Sequence, residues 1–265
     1  MTGRRSIIAL CTLCALASCG IAAQAARAAT GTTGFTCKET GAGGTFSDAH
    51  CKTSQAGGKF KHEQIPANTE TEFTGSNETT GGVTEPWKLK ATIAGVPLTL
   101  TATGLTATGW WTGAIDVFPP EPYAHGSGKL HFSGVTASAS GCKVYEDSEG
   151  TKGTEGVITT PTLTWSTTGV GMALLIAAVE SNVVARFILE GCTTSSQNGT
   201  YTLTGSFKGV PTGTTVNFTH AATTEQNTLK LNGAIKAGIE GVLTPKVRAN
   251  SSQSFTPLSL TTVAE

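Results

Sequence analysis

Trp87-Lys88-Leu89-Lys90-Ala91-Thr92-Ile93 alternates apolar and polar side chains without a break, and after Ala94-Gly95-Val96-Pro97 the same period returns in Leu98-Thr99-Leu100-Thr101-Ala102-Thr103. Successive side chains of a strand point to opposite faces, so a period of two describes a ribbon with one buried and one wet face. Gly95 between the two runs predicts a hairpin with its Thr and Lys side chains in water. The same alternation recurs outward from this pair, at residues 60–65, 129–132, 157–160, 163–165, 201–207, 216–220 and 228–231. Leu258-Ser259-Leu260-Thr261, after Pro257, predicts a closing strand.

Composition agrees with this reading. The 265 residues are 38% hydrophobic and 14% charged, enough apolar material for one sizeable core or two modest ones. Thr occurs 47 times and Gly 33 times, the usage of half-exposed strands joined by tight turns. Eighteen basic residues balance eighteen acidic ones, and no basic run follows the first few residues, which argues against a nucleic-acid partner. The expected class is all-β, a β-sandwich or jelly-roll-like barrel of about a dozen short antiparallel strands with two disulfides.

One segment competes with that class. Met172-Ala173-Leu174-Leu175-Ile176-Ala177-Ala178-Val179-Glu180 consists largely of helix formers. Its flanks, Gly169 and Gly171 before and Ser181-Asn182 after, favour a strand, as does the β-forming run Val183-Val184-Ala185-Arg186-Phe187-Ile188-Leu189. The two runs are expected to pair as a central hairpin buried on both faces.

The first 28 residues have the form of a signal peptide. Arg4 and Arg5 precede an apolar stretch, and the small residues that follow allow cleavage after Ala25 or Ala28. The stretch is barely long enough to span a bilayer and has no stop-transfer flank, so no transmembrane segment is expected in the mature chain. Leu16-Ala17-Ser18-Cys19 resembles a lipobox, with lipidation of Cys19 and a cell-surface anchor as the alternative to a secreted protein. Residues 29–80 are expected to hold a disulfide-closed loop and the first strands, and 81–265 the sandwich.

Beyond the leader stand Cys37, Cys51, Cys142 and Cys192, an even number in an exported chain. Sequential pairing is expected. Cys37 and Cys51 enclose a loop too poor in apolar groups to fold unaided, while Ser140-Gly141-Cys142 and Glu190-Gly191-Cys192 share a context. Neither Cys-x-x-Cys nor His-x-x-x-His spacing occurs among them, so bridges are favoured over a metal and no cofactor is expected.

Gly44-Thr45-Phe46-Ser47-Asp48-Ala49-His50-Cys51, Phe218-Thr219-His220 and Lys236-Ala237-Gly238-Ile239-Glu240-Gly241 resemble segments of secreted, Thr/Gly-rich proteins found in many copies in high-GC soil actinobacteria. The resemblance runs from about Phe35 to the C-terminus. It implies export and a shared β fold, and no activity.

Catalytic chemistry has few possible members. Five His (His50, His62, His125, His131, His220) face three Asp (Asp48, Asp116, Asp147), and no Gly-x-Ser-x-Gly elbow occurs. Gly126-Ser127-Gly128 beside His125 is the nearest approach and is expected to be a turn. Asp116, Glu121, Glu180 and Glu190 are the carboxylates a glycosidase would draw on, and nothing in their spacing pairs them. Glu146-Asp147-Ser148-Glu149 lacks the ligand pattern of a calcium loop and is expected to be a wet loop.

Trp110-Trp111 is more informative. On a strand one indole must face out if the other faces in, and an outward indole is a surface on which a sugar ring stacks. Tyr123, ending the Phe118-Pro119-Pro120-Glu121-Pro122-Tyr123 stretch, would contribute to the rim of such a groove. The expectation is therefore a secreted or cell-surface structural or adhesion protein without catalytic activity. The alternative is a carbohydrate-binding module or glycan-active protein using Trp110, Trp111 and Tyr123, with extracellular polysaccharide or the cell envelope as partner.

Overall fold

The computed structural model describes residues 32–49, 51, 53–66, 69–113, 124–167, 174–179, 182–219, 228–248 and 251–262. Expectations for the leader with Cys19, for His50, Asp116, Glu121, Tyr123, Glu180 and His220, fall outside these residues. The chain opens with β1 Thr32–Phe46, β2 Ser54–Gln64 and β3 Thr71–Asn77, then a small separate hairpin of β4 Thr79–Thr80 and β5 Val83–Thr84. β6 Trp87–Ile93, β7 Val96–Thr112, β8 His125–Ala137, β9 Lys143–Ser148, β10 Thr151–Glu155, β11 Val157–Thr159 and β12 Leu163–Thr167 follow. β13 Leu174–Ala178, β14 Val183–Glu190, β15 Gly199–Thr204, β16 Ser206–Thr212, β17 Thr215–Phe218, β18 Lys230–Leu231, β19 Ile235–Arg248 and β20 Thr256–Thr262 complete the order.

The expected hairpin of β6 and β7 is present. Ile93 pairs with Val96, and Ala94 and Gly95 between them have φ of 49° and 80°, the left-handed pair of a two-residue turn whose twist matches that of the strands. Leu98, Leu100 and Ala102 are buried while Thr99 and Thr101 are not.

The all-β class holds, but the arrangement is a closed barrel and not two stacked sheets. β3 pairs with β7, β7 with β8, β8 with β12, β12 with β13, β13 with β16, β16 with β17, β17 with β19, and β19 returns to β3, every pair antiparallel. Closure removes the unpaired edges that an open sandwich would carry. The remaining strands prolong the wall. β6 fits between the first halves of β7 and β19. From β8 the ladder passes to β11, across Gly156 to β9, then through β14, β15 and β18 back to β19. β20 joins β19 to β1, and β1 joins β2. The strands are more numerous and longer than the expected dozen short ones. Residues 98–103 and 110–111, which look separate in the sequence, share the 17-residue β7.

Side chains fill the interior. Trp87, Trp111, Trp165, Phe73, Phe187 and Phe207 are all buried in one hydrophobic core with the inward Leu, Ile and Val. A cavity of about 50 Å³ remains among Trp87, Leu100, Val135, Phe187, Leu203 and Phe207.

Leu174–Ala178, within the run of helix formers, is a strand, as the flanks suggested, but it does not pair with the run that follows. β13 lies between β12 and β16, whereas β14 lies between β9 and β15. β13 has half-buried residues beside its buried Leu174 and Ile176, and β14 alternates from Ala185 on, with Arg186 half-buried between buried Ala185 and Phe187, so only the start of β14, Val183 to Ala185, is buried on both faces. The chain crosses from one course of the wall to the other at this point. A local apolar pattern does not encode which neighbours a strand will find.

Both disulfides pair sequentially, Cys37 with Cys51 and Cys142 with Cys192. The repeated Gly-Cys context has a steric cause. Gly141 and Gly191 adopt φ of 76° and 71°, and a Cβ on Gly141 would sit 2.6 Å from the Gly191 carbonyl oxygen. Two chain segments approach backbone to backbone there, and Thr193 N donates to Ser140 O at 2.9 Å.

Candidate functional site

Strand alternation separates the two adjacent indoles on β7. Trp111 is fully buried near Phe73, with ring centroids 6.2 Å apart. Its Nε1 is enclosed without a hydrogen-bond partner among the described residues. Trp110 is half-buried on the outer wall, edge-on to His125 at 5.8 Å between centroids. The expectation that one indole faces in and the other out is met.

Register supplies Trp110 with neighbours that the linear sequence does not place beside it. Glu72 of β3 is its partner on one side and Ser127 of β8 on the other. The row continues to Arg248 beyond Glu72 and to Thr164 beyond Ser127. Arg248 forms an ion pair with Glu72 and lays its guanidinium over the Phe255 ring at 4.4 Å. Ser127 Oγ donates to Leu163 O at 3.0 Å, and the Thr112 hydroxyl lies 3.5 Å from His125 Nδ1. Trp110 is thus half-buried on the outer wall between Ser127 and the Glu72–Arg248 ion pair.

Among the described residues the catalytic candidates do not form a constellation. Gly126-Ser127-Gly128 is neither an elbow nor the expected turn, since it lies inside β8. Asp48 sits in the β1–β2 connection, accepting from Thr53 N at 2.7 Å. Asp147 is not in a wet loop. It is buried at the end of β9 and accepts from Gly150 N at 2.7 Å, closing the β9–β10 turn. Glu190 is exposed and paired with Lys152. Among the described residues no three His, Cys, Asp or Glu side chains gather as a metal site.

Two other polar features are structural in character. Glu240 pairs with Lys90 at 2.6 Å and Lys88 at 3.5 Å, and the Lys90 hydrogen bond holds its carboxyl below the ordinary range. Burial pushes the Tyr201 phenol up, and its hydroxyl donates to Gln197 O at 2.9 Å. A polar groove of about 710 Å³ includes Lys129, Glu146, Asp147, Glu149, Thr159 and Arg186 in its lining.

No known protein family, characterised protein or solved structure matches the chain.

Proposed function

We propose that the protein is an exported, non-catalytic surface protein, a disulfide-bonded β-barrel that acts through its outer wall as an adhesion, matrix or envelope component. The observation that carries this reading is the filled interior. The apolar cavity of about 50 Å³ is too small for an organic ligand, which favours binding at the exterior. Two disulfides support an oxidising compartment.

Intact-mass analysis of the chain from a secreting host tests export. A mature protein beginning at Ala26 or Ala29 is expected in the medium, and a diacylated Cys19 would make it a lipid-anchored surface protein. A product retained in the cytoplasm with its leader would overturn the reading, as would hydrolytic turnover that is lost on His125→Ala.

A second reading, binding of a glycan on the outer wall, is favoured by the outward placement of Trp110 between Glu72 and Ser127. Retention on immobilised polysaccharide, lost in Trp110→Ala with the melting temperature only slightly lowered, is its test.

A further inference from the structure

The row through Trp110 is one of three on the same wall. Two residues further along the strands, Lys246, Thr74, Thr108 and Lys129 pair in succession across β19, β3, β7 and β8. Two residues further again, Thr244, Ser76, Thr106, His131 and Thr159 do the same, ending on β11. Between the rows Val247, Phe73, Ala107 and Leu130 are buried, so all three rows face outward. The face is therefore a lattice of hydroxyls, with rows about 7 Å apart and strands about 4.8 Å apart, carrying one indole at its margin.

Its charge is not balanced. Glu72, the carboxylate in these rows, is taken by Arg248. Lys246 and Lys129 form no ion pair among the described residues. The next stretch of wall differs in degree, since Glu240 pairs with both Lys88 and Lys90, which leaves one net positive charge but neither lysine without a carboxylate. Lys129 itself lines the groove that also holds Arg186, Glu146, Asp147 and Glu149, so the positive face ends there, and Lys129 forms no ion pair with those carboxylates.

Resting on the glycan reading, we propose that this wall binds an acidic polysaccharide, with Trp110 stacking on a sugar ring and Lys129 and Lys246 meeting carboxylates on separate residues of the polymer. The two lysines stand three strand spacings apart, about 14 Å, farther than one sugar ring reaches. A chain laid across the strands meets the Thr108 hydroxyl between them, and the Thr74 hydroxyl only as an acceptor, since it donates to Ala107 O at 3.0 Å. A neutral glycan would use the hydroxyls and the indole and leave both cations without a partner. Attraction to exposed lysines falls with salt, and stacking does not.

The test uses the full mature chain in affinity electrophoresis at low salt against polygalacturonate and alginate, with fully methyl-esterified polygalacturonate, dextran and xylan as neutral probes. Retention by an acidic polymer is expected to exceed that by the methyl ester about tenfold. Lys129→Ala/Lys246→Ala should abolish that preference at an unchanged melting temperature, whereas Lys230→Ala/Lys236→Ala, a charge-matched change at the paired positions of β18 and β19, should keep it. Equal retention on acidic and neutral polymers overturns the proposal and leaves the glycan reading standing. Equal loss in both lysine doubles, or equally tight binding of single-stranded oligothymidylate, shows diffuse charge attraction and also overturns it. Retention on none of the five polymers removes the proposal and the glycan reading together.

Discussion

The indole nitrogen of Trp165 donates a 3.1 Å hydrogen bond to the carbonyl oxygen of Trp110, so a side chain on β12 holds the backbone of β7 across the intervening β8. The ring passes over β8 at Gly126 and Gly128, where a Cβ would lie 2.1 Å from Trp165 Nε1 and 2.4 Å from its Cη2. The contact secures the inner side of the backbone from which Trp110 projects outward.

Gly128→Ala is expected to lower stability by about 1–3 kcal/mol through overpacking, because the added methyl also meets the Thr108 carbonyl oxygen at 2.0 Å. Chemical denaturation measures it. A change below about 0.5 kcal/mol would show that the indole does not pack against β8 in this way.

Trp111→Ala should cost about 3–5 kcal/mol, as a large core residue replaced by a small one, since Trp111 is fully buried. Trp110→Ala forfeits mainly its edge contact with His125, about 0.5–1.5 kcal/mol. Melting curves of the two variants should separate clearly, and coincident curves would contradict the opposite placement of the indoles.

Removing the Cys142–Cys192 bridge frees a 50-residue separation and should destabilise by about 4 kcal/mol in the chain-entropy account. Cys37–Cys51 spans 14 residues and should give about 3 kcal/mol. Urea titration of each Cys→Ala pair ranks them, and a larger loss at Cys37–Cys51 would mean that something other than chain entropy dominates.

Glu240 gives a pH dependence with a definite sign. Lys90, and secondarily Lys88, hold its folded carboxyl below the 4.5 of the free group, so the unfolded chain takes up the proton first as pH falls. Its contribution is present above pH 4.5 and is lost as pH drops through the lower folded value. Both lysines are more than a third exposed, and screening limits the effect to at most about 1 kcal/mol. Glu240→Gln should melt lower than the parent at pH 7, with the gap closing in acid and narrowing in high salt. A gap independent of pH would remove the ion-pair account.

The Gly126-Ser127-Gly128 stretch shows why local reading failed where it did. Gly beside Ser ordinarily marks a turn because Gly tolerates positive φ. Neither glycine has a positive φ here. They are required by an indole from a strand 35 or more residues later in the chain, a demand no window of sequence contains. The Gly141 and Gly191 contexts were legible as a matched pair, and their cause, two backbones in contact, was not.

The sequence by itself determined the strand class, the β6–β7 hairpin, the bridged cysteine pairs and the opposite facing of Trp110 and Trp111. Each follows from side-chain alternation, turn chemistry or the local context of the cysteines, which are properties of neighbouring residues. Tertiary structure alone decided that the sheet closes, that β13 and β14 part company, and that Lys129, Lys246, Glu72 and Arg248 share one face with Trp110. Those outcomes depend on which strands pair and in what register, and register is settled by burying many distant side chains at once.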